Sequence, residues 1–146
     1  MRLLILHVSR FSCTATQKGR SPLVEPLPER TTVFEDGLLI LAAAEAGDER
    51  GPVLVAEAAD EVARLAGQVG ASRALVHPFA HLFGEPASME IAIELLEALR
   101  QSLEARGLEA SRSPFGWFFS WELSAKGHPL SRLARRFRPH DPPTGG

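Results

Sequence analysis

The chain has 146 residues, of which 45% are hydrophobic and 23% charged, and its formal net charge is −2. These values are typical of one soluble domain that buries a core without disulfides, and they exclude a disordered or fibrous chain. Because the net charge gives no overall attraction to nucleic acid, any contact with RNA would depend on a local basic patch.

Cysteine content and hydropathy restrict the compartment. Cys13 is the only cysteine, so no internal disulfide can form, and we expect a reducing cytoplasm. No apolar run approaches the ~20 residues that span a bilayer, so no membrane partner is expected. The apolar start of the chain is too short for a signal peptide and predicts a buried first strand.

The first part of the chain predicts strands around a long loop. Residues 3–8 form an apolar run typical of a central strand, and residues 11–16 are predicted to continue as a second strand after a turn. Residues 17–32 contain three prolines and several charges and predict an exposed loop. The continuous apolarity of residues 37–44 is typical of a strand covered on both faces.

The second part predicts two helices separated by short strands. Residues 57–69 and 88–106 each place apolar side chains on one helical stripe and stop at a glycine. Residues 73–77 and 108–112 predict short strands. This order predicts a single compact α/β domain with a mixed sheet and helices packed on one face.

An aromatic segment follows. Pro114 and Gly116 bound a turn, and four apolar residues then recur at every second position, which predicts one face of a strand. Residues 126–129 (KGHP) predict a second, polar turn. The spacing of these residues alone also fits an ordinary core strand of a hairpin that is followed by a surface loop. The residues of the apolar face are Trp117, Phe119, Trp121 and Leu123.

Histidines are the candidates for chemistry. His77 and His81 have the spacing of metal ligands on a helix, but Pro78 interrupts any helix and no third ligand is near in sequence, so no metal is predicted. No nucleophile elbow, phosphate loop or dinucleotide fingerprint occurs, and no cofactor is predicted. His81 follows a strand end and could position a hydroxyl or water; alternatively, it hydrogen-bonds its own turn. His7 could lie near the same cavity or in the core.

A basic cluster lies near the end of the chain. Two interpretations stay open: a solvated helix terminus whose cations offset the helix dipole, or a phosphate-binding surface. Beyond it, residues 139–146 are rich in proline and glycine and predict an unordered tail, which places the domain at residues 1–138. The clustered residues are Arg132, Arg135, Arg136 and Arg138.

Three sequence blocks occur together: VHPFAHL at residues 76–82, PFG with two following aromatics at 114–118, and KGHPL at 126–130. With the opening strand at residues 2–7, they resemble the N-terminal editing domain of archaeal threonyl-tRNA synthetases over nearly the whole chain. That domain is similar in fold to D-aminoacyl-tRNA deacylases. The resemblance implies an aminoacyl pocket at the edge of the sheet, the tRNA acceptor end as partner, and a homodimer.

The resemblance also implies a reaction. It is hydrolysis of the ester that joins a wrong amino acid, mainly serine, to the terminal ribose of tRNA. His81 matches the pocket histidine of the family and would position the ester or water, and Arg132, Arg135 and Arg136 would contact tRNA phosphates. The substrate-binding predictions are Phe115 and Gly116 for backbone contacts to the terminal adenosine, Trp117 and Phe119 for the side-chain pocket, and Lys126 and His128 for the pocket or phosphate path.

Three positions depart from the family pattern. An ungapped match places Phe119 where the family has a lysine, Glu122 where it has a second lysine, and Arg132 where it has a glutamate. Lys126 is no substitute, because the family carries a lysine there as well. Since single catalytic groups contribute ~10- to 1000-fold, the family's mechanism could not run here unchanged.

Three functions therefore stay open. The leading prediction is a standalone, trans-acting deacylase that removes serine from tRNA for threonine, since the chain has no room for aminoacylation and anticodon-binding domains and a separate threonyl-tRNA synthetase would charge the tRNA. The first alternative is a catalytically impaired pseudoenzyme that binds the acceptor end or an adenosine-like ligand. The second is a dimeric structural or regulatory module.

Overall fold

A long N-terminal strand organises the sheet in the computed structural model, which describes residues 1–82 and 84–142. The sheet has six strands. Five of them follow the order β4-β3-β2-β1-β5, and the sixth, β6, pairs with β1 on the same edge as β5. The strands are β1 (Arg2–Lys18), β2 (Thr31–Ala43), β3 (Arg73–Pro78), β4 (Glu109–Arg112), β5 (Trp117–Ala125) and β6 (Arg132–Arg136), and the helices are α1 (Leu54–Val69) and α2 (Met89–Ala105).

The first strand is continuous. β1 pairs antiparallel with β2 on one edge, while its other edge carries β6 beside its first residues and β5 beside its later ones. The partner changes from β6 to β5 between Leu6 and Val8, and an irregularity in the pairing with β5 follows between Val8 and Arg10. The prediction of two strands separated by a turn is therefore wrong, because a bulge absorbs Ser9 without ending the pairing.

The helices share one face of the sheet. β2, β3 and β4 are parallel, and α1 and α2 form the two crossovers between them. Both crossovers step in the same direction along the sheet, so the usual right-handed connection places both helices on the same side. The predicted single α/β domain with a mixed sheet and one helix-covered face is confirmed. The core on this side includes Leu3, Ile5, Leu38, Ile40, Val62, Val76 and Leu99.

The opposite face of the sheet is concave. Phe11, Leu39 and Leu75 belong to a second apolar cluster on this side. The ring of His77 in β3 lies 5.3 Å from the rings of Phe119 and Trp121 in β5, measured between centroids. Because β2 and β1 separate β3 from β5 in the sheet order, this contact requires a strongly curled sheet.

The basic cluster near the end of the chain is a strand. Residues 132–136 form β6, in which half-buried and exposed residues alternate and which pairs with β1. The interpretation as a helix terminus is therefore wrong, since the period of two belongs to a strand. Residues 137–142 have no regular secondary structure, and His140 contacts Glu57. The predicted unordered tail spans residues 139–146, and its second half, residues 143–146, lies outside the described residues.

Neither helix is long and apolar enough to cross a membrane, as judged over the described residues 1–82 and 84–142.

Candidate functional site

A cavity of about 520 Å³ opens where the ends of β2 and β3 approach the start of β5 and α2. Its lining is mostly apolar, and it is open to solvent on one side. The segments that contribute to it are residues 19–21, 42–44, 77–81, 86–87 and 114–119, together with Met89, Ala92, Leu96 and Trp121. Aromatic and aliphatic walls with few polar groups are typical of small-molecule sites.

One wall of the cavity is held by a half-buried carboxylate. Glu25 accepts hydrogen bonds from Arg112 at 2.6 and 2.9 Å and from the Phe115 N–H at 2.8 Å. The indole N–H of Trp117 donates to the Glu25 carbonyl at 2.9 Å, and Arg112 also donates to Glu97 at 3.0 Å. The hydrogen bond from Arg112 holds the pKa of Glu25 below its ordinary value. The network fixes the loop after β1 against the turn before β5.

Gly116 makes this contact sterically possible. Its φ is +94°, and a Cβ there would lie 2.9 Å from the Leu23 oxygen and from Val24 Cα. The Gly19 N–H donates to the Gly116 carbonyl at 2.7 Å. A side chain would therefore meet both backbone strain and a clash with backbone atoms.

The main-chain groups of Phe115 are engaged within the protein. Its N–H donates to the Glu25 carboxylate, and its carbonyl accepts from the Glu25 N–H at 3.1 Å. A ligand in the cavity would therefore meet the Phe115 ring or the Gly116 backbone. The predicted contacts of Phe115 and Gly116 to adenosine stay predictions.

The floor of the cavity contains a buried histidine. Burial lowers the pKa of His77 from 6.5 to about 4, so its ring is neutral near pH 7. Its Nδ1 lies 2.8 Å from the Ser113 hydroxyl. Three aromatic rings pack edge-on around it, at 5.3 to 5.5 Å between centroids: Phe11, Phe119 and Trp121.

His81 lies on the rim of the same cavity. It follows β3 in a solvent-exposed turn, and its ring packs edge-on against Phe79 at 5.5 Å. Within the described part of the chain, no hydrogen bond ties the ring of His81 to its own turn. The structure thus brings His81 together with Trp117, Phe119 and Gly116 around one cavity, and their functional roles stay predictions.

Lys126 and His128 lie elsewhere. His128 Nε2 is 2.9 Å from His7 Nδ1, and Lys126 Nζ is 3.6 Å from the Asp36 carboxylate. The Lys126 N–H donates to the carbonyl of His7, whereas Phe119 pairs with Ala15 further along β1, so the two places are roughly 25 Å apart along that strand.

This histidine pair has its own electrostatics. Burial, assisted by the charge of Lys126, lowers the pKa of His7. None of His7, Lys126 and His128 lines the cavity. The assignment of Lys126 and His128 to substrate binding stays a prediction that the structure does not bring to the cavity.

The β6 arginines are mostly paired with carboxylates. Arg135 Nε lies 3.3 Å from Glu61, and Arg136 makes two hydrogen bonds of 3.1 Å to Glu45. Arg132 is exposed and pairs through its backbone with Leu6. Their role in tRNA binding stays a prediction.

Two other cations lie at the cavity. Arg20 belongs to its lining, and Lys18 Nζ is 5.8 Å from the centroid of the Trp117 ring. Both side chains are exposed, and within residues 1–82 and 84–142 neither forms an ion pair. Sequence reasoning missed them because Lys18 ends β1 and Arg20 follows it in a loop, with no run of basic residues around them.

The three positions that the sequence predicts to depart from the family pattern are separated in space. Phe119 lies in the cavity against His77, whereas the Glu122 side chain is 81% exposed and lies 3.6 Å from Arg10. Arg132 pairs with Leu6 and Phe119 with Ala15, which places them roughly 30 Å apart along β1. Within one chain, these positions do not meet.

No group of three or more histidine, cysteine, aspartate or glutamate residues in the described ranges is arranged to hold a metal ion.

The fold is that of a small α/β domain with an open, mostly apolar cavity, and comparison with known proteins identifies its family. Residues 1–137 match the model of the archaea-specific editing domain of threonyl-tRNA synthetase. The chain belongs to this family, as the three sequence blocks predicted.

Relatives support the same assignment. The chain is 41% identical over 140 residues to a threonine–tRNA ligase of Methanopyrus kandleri, and the match covers 95% of this chain and 22% of the relative. It is 37% identical over 140 residues to that of Methanoregula boonei, with the same coverage, and 34% identical over 139 residues to that of Thermofilum pendens, covering 95% and 23%. The chain thus spans about a fifth of the length of these curated relatives.

Proposed function

We propose that the cavity receives the acylated 3′ end of a tRNA and hydrolyses the ester of a wrong amino acid, serine on tRNA for threonine. The observation that carries the proposal is an open cavity in an editing-domain family member, with His81 at its rim and neutral His77 at its floor. Its volume of about 520 Å³ suits an aminoacyl group with part of the terminal adenosine. The aromatic walls offer surfaces on which a base can stack.

The reaction needs few groups from the protein. Water adds to the ester carbonyl, the bond between the carbonyl carbon and the ribose oxygen breaks, and a proton reaches that oxygen. Stabilisation of the transient oxyanion is the largest contribution in such reactions. His81 would position water or ester from the rim, with the neighbouring ribose hydroxyl and backbone N–H groups supplying the rest.

Phe119 restricts how the protein could catalyse this hydrolysis. Its ring lies in the cavity, where the family has a lysine, and it can neither donate a hydrogen bond nor carry charge. This loss favours one alternative, a pseudoenzyme that binds the acceptor end without turnover. Hydrolysis and binding must therefore be measured separately.

The acceptor end would approach across Lys18 and Arg20. Both cations are exposed beside the cavity, so they can neutralise phosphate without first breaking an ion pair. Arg135 and Arg136 would have to give up Glu61 and Glu45. Arg132 and its β6 neighbours are the second candidate surface.

A release assay tests hydrolysis. Purified protein should liberate serine from tRNA for threonine that carries serine, and should leave threonine on the correctly charged tRNA. His81→Ala should slow serine release by about 100-fold, the usual contribution of one positioned catalytic group. His140→Ala is the matched control, because His140 contacts Glu57 outside the cavity. Release no faster than in a blank without protein would refute hydrolysis of this substrate.

The chain would act in trans on tRNA charged by a separate threonyl-tRNA synthetase, in the cytoplasm. The same assay tests this, since its tRNA is charged beforehand and freed of synthetase. If serine leaves only when the synthetase is added back, independent action is wrong.

We also propose a homodimer, as the family resemblance implies. β5 is the last strand in the sheet order, and Phe118, Trp121 and Leu123 on it are 54%, 37% and 43% exposed. Exposed apolar side chains on a terminal strand favour pairing with a second copy. Sedimentation should give twice the monomer mass, and Phe118→Ser should shift the equilibrium towards monomer. A wild-type monomer at high concentration would contradict the dimer.

A further inference from the structure

We propose that His77, oriented by Ser113, recognises the side-chain hydroxyl of the acyl group that enters the cavity. The inference rests on the proposed function, because it assumes that the cavity holds an aminoacyl ligand. It assigns a specificity-determining role to a residue that the sequence analysis considered only as a metal ligand.

A buried hydrogen bond and three packed rings fix the His77 ring. Its Nδ1 lies 2.8 Å from the Ser113 hydroxyl, and both residues are almost fully buried, at 2% and 4% exposure. The rings of Phe11, Phe119 and Trp121 pack edge-on against it. With one nitrogen held in this way, the ring cannot turn freely, and Nε2 is left for a ligand.

Nε2 is the ring nitrogen that stays available. His77 belongs to the lining of the cavity, and within residues 1–82 and 84–142 its Nε2 has no hydrogen-bond partner. A polar group of a ligand in the cavity can therefore pair with Nε2.

The surroundings make this nitrogen selective. The rings of Phe11, Phe119 and Trp121 pack around His77, and within the described residues none of them forms a hydrogen bond with it. Because the ring is neutral at pH 7, Nε2 either donates or accepts one hydrogen bond, depending on whether Nδ1 accepts from or donates to the Ser113 hydroxyl. A hydroxyl matches both cases, since it donates and accepts, whereas a methyl group matches neither.

The expected discrimination follows from this pairing. A ligand whose side chain is a methyl group instead of a hydroxymethyl group would leave Nε2 desolvated and unpaired, which disfavours its binding. We expect about a tenfold preference for the hydroxylated ligand, because the cavity is open to solvent on one side. This contact separates seryl from alanyl groups; it does not by itself separate seryl from threonyl groups.

Binding of non-hydrolysable analogues tests the inference. The probes are 3′-amino-3′-deoxyadenosine carrying serine or alanine through an amide, and the readout is the dissociation constant by calorimetry. Wild-type protein should bind the seryl amide about tenfold more tightly than the alanyl amide. His77→Phe should abolish the ratio while leaving the alanyl amide's affinity nearly unchanged, and His77→Gln should restore part of it.

A purely structural role for His77 would give a different pattern. Loss of packing would weaken both amides equally and leave their ratio intact, and thermal melting of each variant checks that it folds. Equal affinities of the wild type for the two amides, or no binding of either, would overturn the inference. A seryl preference without serine release would support the inference and contradict the hydrolysis proposed above, so the two failures are distinguishable.

Discussion

The cavity wall and β6 are both basic, but their cations are used differently. Arg112 is 11% exposed and its guanidinium joins Glu25 and Glu97 beneath the wall, while Lys18 and Arg20 beside the cavity form no ion pair with any other described residue. On β6, Arg135 is 35% exposed and pairs with a single carboxylate on the surface. The number of arginines in a segment therefore says little about its role, which depends on burial and on whether each charge is already neutralised.

The largest expected effect concerns histidine charge at the cavity floor. In the unfolded chain His77 is protonated below about pH 6.5, whereas in the folded protein burial lowers the pKa of His77 to about 4 and its ring stays neutral above that pH. Stability should therefore fall by up to about 3 kcal/mol as the pH drops from 6.5 to 4, at 1.36 kcal/mol per pH unit. Denaturant unfolding of the wild type and His77→Gln across this range measures the difference.

His140 provides the contrasting surface histidine. Its hydrogen bonds to the Asp141 carbonyl and to Glu57 raise its pKa, so its contribution is present at low pH and is lost as the pH rises through that pKa. His140→Gln should change the pH profile in the opposite direction and only slightly, since the site is exposed. Parallel pH profiles for wild type and His77→Gln would contradict the buried neutral histidine.

The arginine contrast can be tested directly. Arg112→Ala would leave Glu25 and Glu97 without their shared partner and should destabilise the protein by about 3 kcal/mol. Arg135→Ala should cost less than about 1 kcal/mol, because its ion pair with Glu61 is partly solvated. Equal losses in chemical denaturation would show that the two regions do not differ in this way.

Gly116→Ala tests the cavity wall through its backbone. The positive φ and the contacts at 2.9 Å predict a loss of about 2 kcal/mol and displacement of the loop at residues 19–25. Gly67 is the matched control: it lies within α1 with open space around it, so Gly67→Ala should stabilise by about 0.5 kcal/mol. Thermal melting measures both, and an unaffected Gly116→Ala would show that the wall tolerates a side chain.

The smallest effect concerns tRNA affinity. A double variant of Lys18→Ala and Arg20→Ala should weaken binding roughly tenfold and lower the slope of log affinity against log salt by about 1.4, the value for two phosphate contacts on a single strand. The matched variant of Arg132→Ala and Arg138→Ala should change affinity less than about twofold. The reverse ranking would move the tRNA path from the cavity rim to β6.

Periodicity predicted the parts of the fold in which each segment has one buried face. α1 and α2 have an unbroken apolar stripe, and the period of two in β5 matched the aromatic side that lines the cavity. Local patterns failed where distant pairing decides the structure. A turn was predicted near Ser9, but pairing with β2 and β5 on both edges keeps β1 continuous there. In β6, the run of arginines obscured the alternation that identifies a strand.

The candidate site was predictable only in part. His81, Gly116, Trp117 and Phe119 were found because short motifs placed them, and the structure gathers them around one cavity. His77 was missed as a floor residue because the curl of the sheet, which sequence does not reveal, brings β3 against β5. The Glu25 network was missed for a similar reason, because Glu25 and its main partner Arg112 are 87 residues apart in sequence.

The indole N–H signals of the two tryptophans can show whether the cavity is the proposed binding site for an acylated adenosine. The sequence contains two tryptophans, and both Trp117 and Trp121 line the cavity. Titration of 15N-labelled protein with the seryl amide analogue should shift both indole N–H signals saturably. Saturable shifts confined to β6 or to His7 and His128, with both indole signals unmoved, would contradict the account.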